Sequence, residues 1–302
     1  MPLKSTRSIP GKVFILGEYA VLWDAPAVVA TVGPRFQVAA SGNGEWGTTF
    51  HPESPAGLLA ASFIHQGREL PALRWIDPHQ AVGGLGGSTA QFALLFAEVF
   101  SRSKGQVSSV EVRRQYREIL KQSSAGEPLP SGVDLVAQWE GGVVYFDPAS
   151  EQVLSIWDNW DWSNLLIFSA AHQAGRKVLT HDHLAGLGAL VATKARPQWV
   201  DALALELSRW LQGEQSRGLA MQNSAEILAS QNLELRAAYE DRIALSKLAG
   251  VTGVKGSGAL LADTVLVELN ADRADRAEII ARASERGLRL IADGISYEEG
   301  IQ

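Results

Sequence analysis

The run Val82-Gly83-Gly84-Leu85-Gly86-Gly87-Ser88-Thr89 leads straight into Ala90 to Phe100, a strongly helix-forming apolar stretch. Glycines let a backbone approach an anion closely, and the free N–H groups at a helix start favour phosphate oxygens. Ser88 adds a hydroxyl where a phosphate-bound magnesium ion would sit. The pattern is not a Walker loop, because no Lys-Ser/Thr pair follows, and it is not the dinucleotide-binding G-x-G-x-x-G turn. A tight packing turn beneath a docked helix uses the same residues. Spacing alone leaves both readings open.

Around this turn lie 302 residues, about the length of two domains. Hydrophobic residues make up 46% and charged residues 20%, which excludes disorder. The 27 basic and 33 acidic side chains leave a net charge of −6. Bulk electrostatics therefore oppose nucleic-acid binding, although a local basic pocket for an anionic metabolite stays compatible with that sum. The absence of cysteine excludes disulfides, thiolate zinc sites and a cysteine nucleophile. Met1 to Lys12 lacks the apolar stretch of a signal peptide. Charges interrupt every apolar run before the ~18 residues of a membrane span. The expectation is a soluble, cytoplasmic protein with no membrane or nucleic-acid partner.

Upstream, Val13–Leu16, Ala25–Val32 and Arg35–Ala40 read as strands, residues 41–57 as a loop or hairpin, and Ala60–His65 as a short helix. Downstream, Glu111–Gln122 has helical spacing, Ser123–Gly132 is a loop, and Gly142–Phe146 is a strand. A second unit begins near Leu165 with the apolar strand Leu165–Ala170. Helices follow at His183–Ala195, Gln198–Leu211 and along Ser224–Ala249. Gly250–Gly258 reads as a tight Gly-rich turn, then come strand Thr264–Leu269, helix Asp272–Arg286 and strand Leu288–Ala292. This order predicts an α+β second domain.

Three more segments carry chemical potential. Pro10-Gly11-Lys12-Val13 sets an ammonium beside a strand start, with Gly17-Glu18-Tyr19-Ala20-Val21-Leu22 just beyond. Taken singly, Lys12 reads as a surface lysine and Glu18 as an exposed turn carboxylate. Pro130-Ser131-Gly132-Val133-Asp134 places a carboxylate at a helix start, where the dipole and backbone N–H groups stabilise it, or where it would accept a proton. Val254-Lys255-Gly256-Ser257-Gly258-Ala259 is followed by Asp263. Arg176 and Lys177 form a cation pair suited to a substrate phosphate or to a solvated loop. His181-Asp182-His183 is a poor metal site, since three adjacent donors do not converge on one ion. Trp157, Trp160 and Trp162 are expected to pin a connection against the core. Trp199, Leu203, Leu207 and Trp210 have the spacing of a buried helix face.

In this order the segments resemble the superfamily of galactokinase, homoserine kinase, mevalonate kinase and phosphomevalonate kinase (the GHMP kinases). Its first motif is matched by Pro10 to Val13 and Gly17 to Val21, and its G-L-G-S-S-A-A motif by Gly84-Leu85-Gly86-Gly87-Ser88-Thr89-Ala90. Its serine–glycine–x–aspartate element falls on Ser131, Gly132 and Asp134, and its last motif on Lys255 to Asp263. The resemblance implies an α+β, two-domain kinase, with an N-terminal α/β ATP-binding domain over residues 1–162. A ferredoxin-like α+β domain would cover 163–302. It implies that Gly83, Gly84, Leu85, Gly86, Gly87, Ser88 and Thr89 hold ATP. Ser88, with Glu127 as a second contact, would hold Mg²⁺, and Asp134 would be the catalytic aspartate, paired with Lys12. Glu18, Tyr19, Ser131, Gly132, Arg176, Lys177, Lys255, Ser257 and Gly258 would contact the acceptor.

Departures from the family pattern are Val82 for a glycine, Gly87 for a serine, and Leu260-Leu261-Ala262 where the family has glycines. Tyr19 and Lys255-Gly256-Ser257-Gly258-Ala259 look like phosphomevalonate kinase, whereas Pro130 to Asp134 reads like mevalonate kinase. The expected partner is thus phosphomevalonate or mevalonate, acted on by a monomer or homodimer. A non-catalytic ligand-binding protein on the same fold is the alternative of another class.

Overall fold

Strand β1 (Thr6–Leu16) and strand β2 (Ala27–Ala40) form a long antiparallel pair with Lys12 opposite Thr31. The structure, a computed structural model, describes residues 6–40, 50–70, 72–79, 83–100, 107–123, 129–170, 191 and 195–302. The two strands expected at Ala25–Val32 and Arg35–Ala40 are one. β2 continues through Gly33-Pro34, and the β1 register shifts between Ile9 and Gly11, where Pro10 has no N–H to give the ladder. The length of β2 lets it serve two partners. Ala27–Ala30 pairs with β4 (Val143–Asp147), Gln37–Ala40 pairs with β3 (Leu73–Ile76), and β4 pairs outward with β5 (Gln152–Ser155).

Alternation sends successive β1 side chains to opposite faces. Val13 and Ile15 enter the main core, while Phe14 meets Val29, Val144 and Phe146 on the other side. Helices α1 (Pro55–His65), α2 (Gly87–Phe100) and α3 (Ser109–Ser123) contribute to that main core. Helix α4 (Val133–Glu140) closes the Phe14 face with Val133, Val136 and Ala137. Ser54 caps α1, its hydroxyl accepting from Gly57 N at 3.1 Å, with Pro55 as first residue. α2 is apolar on most of its circumference and correspondingly buried, from Thr89 and Ala90 to Phe96 and Ala97.

The second sheet is antiparallel, in the order β7 (Val251–Ser257), β8 (Thr264–Leu269), β6 (Leu165–Ser169), β9 (Arg289–Asp293). In β6, Leu166 and Phe168 face a core shared with the helices Arg236–Leu245 and Arg276–Glu285, while Leu165 and Ile167 join the main core. The result is a two-domain α+β architecture whose main hydrophobic core runs through both sheets. Trp160 and Trp162 pack against Trp210 of the helix Gln198–Leu211, with ring centroids 5.0 and 6.2 Å away, so this segment is pinned as expected.

Two sequence expectations change. Ser224–Ala249 is two helices, Arg217–Ser230 and Arg236–Leu245, separated where Asn232 takes a positive φ of 59°. Gly250–Gly258 is not a turn, because Val251–Ser257 is an edge strand. A Cβ on Gly253 would lie 2.1 Å from the Gly218 carbonyl oxygen, so glycine there lets a helix backbone press directly on the strand.

Residues beyond β9 return to the first sheet. Gly142 N donates to Glu298 O, Ile301 N to Trp139 O, and Ser8 and Gln302 exchange backbone bonds at 3.1 and 2.9 Å. Arg35 binds the carbonyl oxygens of Ser8, Glu299 and Gly300 together with the Glu298 carboxylate.

Candidate functional site

The Gly-rich turn ends where α2 begins, at Gly87. Its backbone is tied to β1 by Lys12 N donating to Leu85 O at 3.0 Å, and Leu85 is buried beneath it. Gln138 of α4 completes the tie. Its amide donates to Pro10 O at 2.8 Å and Gly86 O at 3.3 Å, and it accepts from the Thr89 hydroxyl at 2.6 Å. Ser88 is exposed on the open side of the turn, next to helix N–H groups that lack intrahelical partners.

The last motif lies across this turn. A Cβ on Gly84 would be 2.4 Å from Asp263 Cβ, and one on Gly258 would be 2.1 Å from an Asp263 carboxylate oxygen. Both glycines have positive φ, so neither site accepts a side chain. Beside them, Leu260 and Leu261 adopt φ of 49° and 53°. The leucines that replace the family's glycines thus keep a glycine-type backbone at a cost of about 1–2 kcal/mol each.

Asp134 sits in the first turn of α4, its carboxylate accepting from Leu135 N at 3.1 Å and lying 3.4 Å from the Thr89 hydroxyl. Ser131 and Gly132 precede it, buried. Lys12 is buried along its stem, with Cγ 2.9 Å from the position of a Gly86 Cβ and Nζ 5.1 Å from the Phe14 ring centroid. The expected Lys12–Asp134 pair is corrected. Among the described residues no carboxylate lies within ion-pair distance of Lys12, whose ammonium rests on the Phe14 ring instead.

Lys255 and Ser257 are residues of the last motif expected to contact the acceptor. Both side chains are fully buried. Lys255 Nζ is held by the Glu18 carboxylate and by Gly256 O at 2.8 Å, and burial lowers its pKa. Ser257 Oγ accepts from Phe14 N at 3.2 Å. These bonds brace β7 against β1 and the turn after it. Tyr19 belongs to the same brace. Its hydroxyl accepts from Leu260 N at 2.6 Å, and burial raises its pKa above the usual phenol value. Arg176, Lys177 and Glu127 lie outside the described residues, as do Val82 and His181 to His183. Among the described residues no cluster of three His, Asp or Glu side chains could hold a metal ion, and no helix is long and apolar enough to cross a membrane.

Sequence reading missed two residues of this region, Gln138 and Arg113. Gln138 lies one helical turn after Asp134, and that spacing was its only signal. Arg113, on α3, donates from Nε to Ser131 O at 2.8 Å.

The donor set suits a triphosphate and its ion. The turn is a cradle that Cβ atoms would fill, Ser88 is open, and the half-buried Asp134 offers hard oxygens of the kind Mg²⁺ takes alongside substrate phosphates.

The fold is that of the GHMP kinases. A Lin0012 protein from Listeria innocua is 13% identical with a TM-score of 0.72, over 99% of each chain. The Methanococcus jannaschii mevalonate kinase is 13% identical with a TM-score of 0.70, over 95% of this chain and 96% of that one. A Streptococcus pneumoniae phosphomevalonate kinase, solved in complex with phosphomevalonate and AMPPNP, is 12% identical with a TM-score of 0.69, over 95% and 98%. At 12–13% identity the likeness establishes the fold. No protein-family model and no curated protein matches the sequence.

Proposed function

We propose that the chain is an ATP-dependent kinase that phosphorylates phosphomevalonate, with residues 1–162 holding the nucleotide and 163–302 completing the site. The observation that carries this reading is convergence. Segments that start at residues 10, 83, 131 and 255 meet around one turn, through Lys12 on Gly86, Thr89 beside Asp134, and Asp263 on Gly84. A packing turn alone has no use for an open hydroxyl, a stem-buried ammonium and a half-buried carboxylate on the same loop.

The α2 N-terminus and the turn amides would receive the β- and γ-phosphates, and Ser88 and Asp134 would hold Mg²⁺. When bound, the ion supplies charge neutralisation on the phosphates. Lys12, resting on Phe14 with no carboxylate at ion-pair distance among the described residues, has its charge available for the transferring phosphoryl group. A phosphate acceptor is largely ionised at neutral pH, its second pKa being about 6. Asp134 therefore orients the acceptor more than it deprotonates it. Mevalonate is the second acceptor, favoured by Pro130 to Asp134, and its hydroxyl would need Asp134 as a base.

The test is ADP release with mevalonate, phosphomevalonate and diphosphomevalonate, each with ATP and Mg²⁺. The highest kcat/KM is expected with phosphomevalonate. Release with none of the three would reject the reading.

A further inference from the structure

Gln138 is a fully buried amide between β1, the phosphate turn and α4, and its surroundings fix its orientation. Its Nε2 donates to Pro10 O at 2.8 Å and to Gly86 O at 3.3 Å, and only the NH2 end of an amide can serve two carbonyl oxygens. Local backbone permits both contacts. Pro10 lies at the register shift of β1 between Ile9 and Gly11, and Gly86 has no side chain where a Cβ would stand 3.0 Å from Nε2. With the amide set this way, Oε1 faces the Thr89 hydroxyl and acts as an acceptor only.

That hydroxyl has one hydrogen and three acceptors in reach, Gln138 Oε1 at 2.6 Å, Gly86 O at 3.0 Å and Asp134 Oδ2 at 3.4 Å. Length and solvation decide between the amide and the carboxylate. The contact to Oε1 has the length of a good O–H···O bond, and the contact to Oδ2 is too long for one. Asp134 is half-buried and can take water on its open side, whereas Gln138 is fully buried and its Oε1 would be left unmet. The hydrogen therefore belongs to Gln138, and Thr89 turns lone pairs toward Asp134. Thr89 stands where the G-L-G-S-S-A-A motif has its first alanine. This chain thus sets a hydroxyl beside the carboxylate, together with an amide that occupies it.

We infer that Gln138 is a positioning residue, which holds the Thr89 hydrogen away from Asp134 and so keeps Oδ2 available to the ion and the acceptor. The part given to Asp134 rests on the kinase reading. The direction of the Thr89 hydrogen does not.

Neutron diffraction from crystals of perdeuterated wild type, grown in heavy water without ligands, locates that hydrogen. It is expected on the line from Thr89 Oγ1 to Gln138 Oε1. Density on the line to Asp134 Oδ2 or to Gly86 O overturns the inference, whether or not any variant folds. Gln138→Met keeps the length of the side chain and removes the amide. The freed hydrogen should turn to the charged oxygen, and a crystal structure of the variant should show the Thr89–Asp134 contact shortened to about 2.5–2.7 Å. In ADP-release assays its Mg²⁺ requirement should rise at least about 10-fold, the lower end for a bond to a charged group. The same variant takes the donor from Pro10 O and Gly86 O, which loosens the turn, and a second substitution separates the two effects. Thr89→Ala/Gln138→Met has no hydroxyl to capture Oδ2, so most of the rise should be reversed while the loss of stability remains. An unmoved Thr89–Asp134 contact in Gln138→Met overturns the inference. So does a double variant that needs as much Mg²⁺ as Gln138→Met. A wild type that releases ADP with no acceptor sinks the kinase reading instead, and the neutron map still decides the hydrogen.

Discussion

Replacing Lys255 by Met keeps an unbranched chain of similar length and removes only the ammonium. What it leaves behind sets the magnitude. The Glu18 carboxylate, 6% exposed, loses its ion-pair partner, and Gly256 O loses its donor. Removing one member of a buried pair costs about 3–5 kcal/mol, because the other charge stays buried. In a protein of this size that lowers Tm by roughly 5–8 °C. The reverse change, Glu18→Gln, should cost less. Lys255 would keep its bond to Gly256 O and the favourable field of Glu234, which is itself anchored by Arg242. The double variant Lys255→Met/Glu18→Gln leaves no charge stranded and should regain at least about 2 kcal/mol over Lys255→Met. Urea unfolding of the four proteins closes the cycle. A loss below about 1 kcal/mol in Lys255→Met, with additive effects in the double variant, would refute the brace.

Ser88→Ala should reduce kcat while moving stability by less than about 0.5 kcal/mol, since the hydroxyl is exposed; unaltered magnesium dependence would remove Ser88 from the site. Asp134→Asn with phosphomevalonate should lower kcat modestly, and less as pH rises through the acceptor's second pKa. A severe, pH-independent loss would contradict an orienting role. His79 is buried with Nε2 bonded to Pro34 O at 2.8 Å, and burial holds its pKa below the usual value. The unfolded chain then binds more protons on the acid side of neutrality. The His79 contribution is complete above about pH 6.5 and is lost as pH falls toward the lower folded pKa. Thermal scans from pH 7.5 to 5 should show this slope in wild type and a shallower one in His79→Gln; parallel curves would exclude it.

Period-based signals were the most legible. The helix Gln198–Leu211 and the strand Thr264–Leu269 lie where their apolar spacing predicts them, because burial on one face writes itself into sequence. The edge strands Leu73–Ile76 and Gln152–Ser155 are four residues each, too short for a period to register. β7 was hidden for another reason. Its glycines read as turn residues, while Gly253 admits the backbone of a neighbouring helix and Gly256 that of Leu261. In the site, each motif was legible as a local pattern, but which ammonium meets which carboxylate is a tertiary fact. Lys12 and Asp134 looked paired and are apart, whereas Glu18 and Lys255, separated by most of the chain, are in contact. Arg113 and Gln138 carry no motif, and only the packing of α3 and α4 gives them significance.

The return of residues 298–302 to the first sheet bears on the order of events during synthesis. Domains usually fold as they emerge from the ribosome, N-terminal first. Here Gly142 N and Ser8 N find their acceptors in residues 298–302, and Arg35, which also binds Ser8, takes the rest of its acceptors there. Until those residues have left the exit tunnel, the first sheet carries unfilled backbone bonds and a cation without its cluster of carbonyl oxygens. The nascent N-terminal half is therefore a waiting intermediate until residues 298–302 arrive, and truncation at 297 should trap that state.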